Sequence, residues 1–332
     1  MPLGPDPSTP RPDAVVVGAG VVGLTAAVAL AGAGHRVEVW TADDPAGTPS
    51  ARAAGVWTPK SQAPLATSVA WARQSLQDFC GLARVAGSGV RLVEGLTLTA
   101  EPDEVLPPLT RLSPDLRPAA ADELPAAYRA GLRYRMPVVD MARYVPWLLQ
   151  RLDAYGGRVR RRRVQDLAEP LAVAPVVVNA AGLGAGALAG DTTVRPVFSQ
   201  YVVTDNPGLD RVLVDTSDPR SWVSIIPHRD RVHLGGVRVT GREDPRPDRE
   251  LAADVLRHCR EIEPRLVDAR MLRVDTGLLP GRPTMRVQAE QHGDGTVVHA
   301  YGHATAGVTL SWGAAREVAR LAGEPRRSSR VG

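Results

Sequence analysis

One lysine, two phenylalanines and two cysteines are all that the 332 residues contain of those types. With Lys60 the only lysine, arginine supplies nearly all the positive charge, and the balance is only +4. No basic run is interleaved with aromatics, which argues against a nucleic-acid surface. The densest run, Arg158 to Arg163, reads as a strand with a solvated face. Cys80 and Cys259 are too few for a disulfide framework and lack metal-ligand spacing, so both are expected to be buried free thiols in a reducing cytoplasm. No metal site is expected. Long apolar runs are also missing. The stretch from Ala14 to Ala33 is broken by Gly18, Gly20 and Gly23 and does not read as a membrane span. No secretory signal is visible. Residues 1–13, with their prolines, and 326–332 are expected to be flexible ends.

What is present suits a globular α/β chain, with 44% hydrophobic and 23% charged residues. Ala14-Val15-Val16-Val17 is a short, mostly β-branched run of the kind buried on both faces of a parallel sheet. A glycine turn, a helix from Leu24 to Ala33 and a second strand from Arg36 to Trp40 complete a βαβ unit. Helices are predicted over Ser68–Ala83, Met141–Tyr155, Asp248–Ile262 and Val308–Ala322, with Asp248 as an N-cap. Val176 to Asn179 repeats the buried-strand signature. Strands are predicted at Gly87–Ala100, Gln200–Val203, Val212–Val214, Ser221–Ile226, Val232–Val239 and Thr296–His299. The pattern implies a dinucleotide fold interrupted by a second domain with an antiparallel sheet over a pocket.

The glycine fingerprint is Gly18-Ala19-Gly20-Val21-Val22-Gly23. Gly18 allows a tight turn, Gly20 lets a pyrophosphate approach the backbone, and Gly23 lets helix pack close to strand. The helix start then offers unpaired N–H groups to phosphate charge. After the second strand, Asp43 is the candidate for ribose, with Asp44 the alternative and a solvated pair the plainer reading. Thr48, Ser50, Ala54, Gly55 and Val56 belong to a small, hydroxyl-bearing segment that on composition alone is a loop.

Three segments carry a resemblance to the D-amino-acid oxidase family. They are Ala53-Ala54-Gly55-Val56-Trp57-Thr58-Pro59, Asn179 to Leu188, and Val297-Val298-His299-Ala300-Tyr301-Gly302-His303-Ala304-Thr305-Ala306-Gly307. The order is the family's from residue 14 to 322, and Thr305 is a departure where a smaller residue is usual. The resemblance implies FAD, a Rossmann-like cofactor domain and an interleaved substrate domain. Residues 14–79, 150–195 and 268–325 would form the first, and 80–149 and 196–267 the second. It also implies cofactor contacts at Arg163, Val164, Ala181, Gly182, Gly307, Val308 and Thr309. His303 reads either as a polar flavin neighbour or as a structural histidine.

The same resemblance breaks at the substrate. Family members hold the substrate carboxylate with a tyrosine and an arginine, and pass hydride to flavin N5. Ser224 stands in the tyrosine's place before Ile225-Ile226-Pro227, and Leu279 in the arginine's place after Thr276-Gly277-Leu278. A carboxylate taken from water without a partner costs several kcal/mol, and leucine has no fork to offer. Trp222, Ser224, Tyr201, Leu279 and Thr305 are the pocket candidates, although Trp222 and Tyr201 read equally as core aromatics. Arg220 and Arg238 are candidate anchors, and Arg282 a third.

The leading expectation is an amine or a carboxylate-masked amino-acid substrate, including one tethered to a carrier, with O2 as acceptor. Ordinary D-amino-acid oxidation with a relocated anchor is the alternative. A degenerate flavoprotein without turnover is the third. A homo-oligomer is compatible with all of them.

Overall fold

A computed structural model describes residues 11–58, 62–99, 110–217 and 223–323. The chain begins with β1 (Ala14–Val17), α1 (Val21–Gly32), β2 (Val37–Thr41) and α2 (Leu65–Leu82). It continues through β3 (Val90–Thr99), β4 (Arg117–Pro118), β5 (Ala130–Val139), α3 (Met141–Ala154) and β6 (Arg158–Arg161). Next come α4 (Ala168–Leu171), β7 (Val176–Asn179), α5 (Ala185–Leu188), β8 (Arg195–Asp205) and β9 (Val212–Asp215). The remainder is β10 (Val223–Pro227), β11 (Arg231–Thr240), α6 (Arg249–Ile262), β12 (Met271–Gly281), β13 (Arg286–His292), β14 (Gly295–Tyr301) and α7 (Gly307–Ala322).

The strands form two sheets. The six-stranded one has the order β13-β14-β7-β1-β2-β6 and is parallel except for the β13–β14 hairpin. Its centre is fully buried, because β1 and β7 carry apolar side chains to both faces. Helices α1, α3 and α7 cover one face around Leu24, Leu30, Tyr144, Leu148 and Leu310. Helix α3 presents Tyr144, Leu148 and Leu152 as one buried stripe, as its 3.6-residue spacing predicts.

The eight-stranded sheet has the order β12-β8-β11-β10-β9-β3-β5-β4 and is antiparallel apart from β3–β9. Helix α6 closes one face over Val202, Ile225 and Leu234, and Asp248 caps it by accepting from the Glu250 and Leu251 amides. The opposite face, carrying Tyr201, Val214 and Ile226, turns toward Ala54 and Val56.

Three strands stood out poorly in the sequence. β5 contains Pro137; β12 is a sheet edge broken by Gly277 and Pro280; and β13 is half-exposed throughout. β12 hydrogen-bonds into the eight-stranded sheet, although the sequence division groups residues 268–325 with the cofactor part. Asp13, expected in a flexible end, is buried and paired to Arg36 at 2.7 Å. Cys259 is buried; Cys80 is only half-buried, and both thiols are free. Among the described residues no helix is long and apolar enough to cross a membrane, and no cluster of metal-ligating side chains occurs.

Candidate active site

A cavity of about 750 Å³ runs from the carboxyl ends of β1, β2 and β7 to the face of the eight-stranded sheet. Its position follows from the topology, since parallel sheets place ligands beyond the carboxyl ends of their strands.

The end at the parallel sheet is made largely of backbone. Gly18 turns out of β1 at φ +111°, and an added Cβ would lie 2.3 Å from the Ala180 carbonyl oxygen, so only glycine fits. That carbonyl belongs to the turn after β7, where Asn179 Nδ2 donates to Ala185 O at 3.0 Å. Gly20 opens α1 with no side-chain cap, and a Cβ there would project toward Ser50 Oγ, 3.1 Å away. The Val21 amide donates to that hydroxyl at 3.0 Å. Gly307 opens α7 at the cavity, where a Cβ would touch Val21 at 3.8 Å and Val22 at 4.0 Å, ordinary packing distances. Two helix N-termini thus face one volume, a setting for negative charge. Gly55 passes so close to β5 that a Cβ would lie 1.9 Å from Val139 O, at φ +63°. This seats Ala54 and Val56 between the two sheets.

Of the residues singled out in the sequence, Gly18, Gly20, Val21, Val22, Asp43, Thr48, Ser50, Ala54, Gly55 and Val56 line the cavity. So do Arg163, Val164, Ala181, Gly182, Thr305, Gly307 and Val308. Gly23 stands behind them, its Cβ position 2.0 Å from Gly18 O, where it lets α1 approach β1. Thr309 is buried outside the lining, its hydroxyl donating to Thr58 O at 3.1 Å. Trp40, Arg52 and Arg162 also line the cavity and were not singled out. The Arg162 guanidinium lies 4.1 Å from the centre of the Trp40 ring, which closes this end with a flat cationic stack.

His303 borders the cavity. Its ring is 2% exposed, lines the cavity, and leaves Nε2 without a partner. Burial lowers its pKa to about 4, so the ring is neutral near pH 7. Its Nε2 thus keeps an unused hydrogen-bonding position at the edge of the cavity. His299 differs: Glu290 Oε2 at 3.1 Å and the Asn179 amide hold it in a structural role.

The other end belongs to the antiparallel sheet, with Ser199, Tyr201, Arg238, Asp275 and Leu279 in the lining. Leu279 therefore borders the cavity where the family resemblance expects an arginine. Ser224 shares the sheet face of Ile226 but is absent from the lining; its Oγ donates to Gly235 O at 2.6 Å. Arg282 is held by Asp191 at 2.8 Å and Arg286 by Tyr301 at 2.7 Å, and neither reaches the cavity. Arg220 and Trp222 lie outside the described residues. Behind this end sit two buried histidines. His228 Nε2 is 2.9 Å from Ala54 O, and its ring meets His233 edge-on at 5.0 Å. Burial lowers the pKa of both.

A glycine cradle between two helix N-termini, beside Thr48 and Ser50 hydroxyls and an unpartnered histidine, fits a flavin dinucleotide. The family model described as FAD dependent oxidoreductase matches residues 13–321. The chain belongs to this family. FAD is its cofactor, and it is a flavoprotein oxidoreductase.

Among its relatives, a D-amino-acid oxidase of Streptomyces coelicolor is 43% identical over 313 residues, covering 93% of this chain and 96% of the relative. A human D-aspartate oxidase is 34% identical over 323 residues, covering 93% and 94%. The crystal structure of glycine oxidase from Geobacillus kaustophilus has the same fold, with a TM-score of 0.80 at 19% identity over 96% of each chain.

Proposed function

We propose that this flavoprotein oxidises the α C–N bond of a free D-amino acid whose carboxylate is held by Arg238. The carrying observation is that Arg238 is the only basic residue the eight-stranded sheet contributes to the lining, among the described residues. It stands on β11 opposite Ser199 of β8, which pairs on its other side with Gly277 of β12, two residues from Leu279. The family clamp is thereby moved within one sheet face. The relatives named D-amino-acid oxidase and D-aspartate oxidase support an amino-acid substrate.

Arginine suits this task because its planar fork takes both carboxylate oxygens and cannot lose its charge. Tyr201 and Leu279 enclose the substrate and exclude water, which strengthens the ion pair. When bound, FAD supplies the hydride acceptor. The α-carbon gives up a hydride and the nitrogen a proton, leaving an imine that hydrolyses to a keto acid and ammonia. The side chains named here position the substrate for that step. In this reading residues 14–79, 150–195 and 268–325 serve the cofactor and 80–149 with 196–267 serve the substrate, except that β12 joins the substrate sheet and brings Asp275 and Leu279 to it. O2 takes the two electrons as hydrogen peroxide, and free Cys80 and Cys259 suit a cytoplasmic location.

The test is anaerobic titration of the yellow protein with D-alanine, D-proline and larger D-amino acids. Bleaching at millimolar concentration is expected, with kcat/KM reduced about a hundredfold in Arg238→Leu at unchanged FAD content. Leu279 in the lining favours a second reading, an amine or carboxylate-masked substrate. Bleaching by amino-acid amides or simple amines, but by no free amino acid, would establish that reading instead.

A further inference from the structure

The cavity holds a second charge that an arginine anchor does not require. Asp275 lies on β12, directly opposite Tyr201 on β8, and borders the cavity with 9% exposure. Side chains alternate along a strand, so Asp275, Gly277 and Leu279 share the cavity face. Asp275 therefore lies in one line with the position where the family places its arginine.

The surroundings of this carboxylate leave it able to take another cation. Arg273 chelates it from one side, with Nε 3.0 Å from both oxygens and the second contact at 2.9 Å. The Arg273 side chain is half exposed, so much of its charge is screened by solvent. A carboxylate offers about four acceptor positions, so Arg273 does not exhaust it. The third neighbour, His233, has Nε2 3.8 Å from Oδ2. Burial holds that ring neutral, so it adds no competing positive charge. Tyr201 meets His233 edge-on at 6.1 Å and forms the apolar wall beside the carboxylate.

Arg238 and Asp275 are well separated on the sheet. Arg238 pairs with Ser199, Asp275 with Tyr201, and β8 lies between β11 and β12. Two strand spacings and two residues along the strand put their Cα atoms roughly 12 Å apart. An α-ammonium group sits one carbon from its carboxylate and stays near the anchor. An amine or guanidinium at the end of a three- or four-carbon side chain extends farther along the sheet face toward Asp275.

We propose that Asp275 determines specificity by forming a cation subsite, and that the enzyme takes D-amino acids with a positively charged side chain of the ornithine, lysine or arginine type. The proposal rests on the reading of Arg238 as the carboxylate anchor.

The first test uses the FAD-loaded enzyme and ligands without an α-amino group, so that binding is read without turnover. Hexanoate and 6-aminohexanoate are titrated against the flavin absorbance spectrum. The amino analogue is expected to bind at least tenfold more tightly, and Asp275→Asn to bring the two together. In turnover, kcat/KM for D-lysine should exceed that for D-norleucine at least tenfold, and Asp275→Asn should reduce the ratio to about one. Arg273→Gln provides a second variant that keeps the carboxylate and removes its screening partner, and it should raise the ratio. A ratio at or below one in the unmodified enzyme, or one that neither variant moves, overturns the subsite. Tight hexanoate binding with no gain for 6-aminohexanoate overturns the subsite alone and leaves the anchor standing. Absence of binding by either ligand, with Arg238→Leu unchanged from the parent in turnover, overturns the anchor and the subsite together.

Discussion

The two ends of the cavity are built from different materials. At the parallel sheet, glycines, amides and two helix N-termini form the wall, and short stretches of contiguous chain contribute it. At the antiparallel sheet, Ser199, Tyr201, Arg238, Asp275 and Leu279 come from three strands far apart in sequence. A backbone wall tolerates little change, because its atoms come from the fold itself. A side-chain wall can exchange one residue at a time. That contrast supports the reading in which the family's cofactor end is kept here while its substrate clamp is replaced.

Gly18→Ala is expected to have the largest effect on the backbone wall. A methyl group at that site meets the Ala180 carbonyl at 2.3 Å, on a backbone with φ +111°. Nothing nearby is a flexible side-chain end that can swing away. The expected cost is on the order of 4 kcal/mol, seen as loss of bound FAD on gel filtration and a lowered Tm. Ser199→Ala should retain the full flavin content. Equal FAD content in both variants would remove the distinction between the two walls.

An effect of intermediate size comes from His303. Unfolded, its imidazole takes up a proton near pH 6.5; folded, burial delays this to about pH 4. Between those values the unfolded chain holds the extra proton, so stability falls as pH falls and the loss is complete below the folded value. The difference amounts to roughly 3 kcal/mol. His228 and His233 act in the same direction at the other end of the cavity. Urea midpoints at pH 7.5 and 4.5 should therefore converge in His303→Gln relative to the parent. An unchanged pH dependence in that variant would show that the ring is not held neutral by burial.

The same contrast explains what was legible in the sequence. The strand, glycine turn and helix from Ala14 to Gly32 are contiguous, and the local pattern carries their geometry. The β7 strand, the Asp248 cap and the buried stripe of α3 are local in the same sense. Asp275 was not visible. β12 is an edge strand with intermittent burial, so its alternation is weak, and only pairing with Tyr201 shows which face it uses. Thr309 stands in the first turn of α7 as the sequence suggests, and what the sequence does not show is that its hydroxyl is engaged by Thr58. Trp40 and Arg162, 122 positions apart, become a stack only when β6 pairs with β2.

A small effect is expected from that stack, a side-chain element that two separate strands bring to the cofactor wall. Arg162 covers the Trp40 ring at 4.1 Å and is steadied by Glu169 at 3.2 Å. Cation–π contacts of this kind contribute about 1 kcal/mol. Arg162→Gln should weaken FAD binding by about fivefold, measured by flavin fluorescence as free FAD is removed. The KM of the amino-acid substrate should stay constant at saturating FAD, since Arg238 and Asp275 lie on the other sheet. A changed KM with an unchanged FAD affinity would mean that the two ends are coupled and that the separation drawn from their construction does not hold in function.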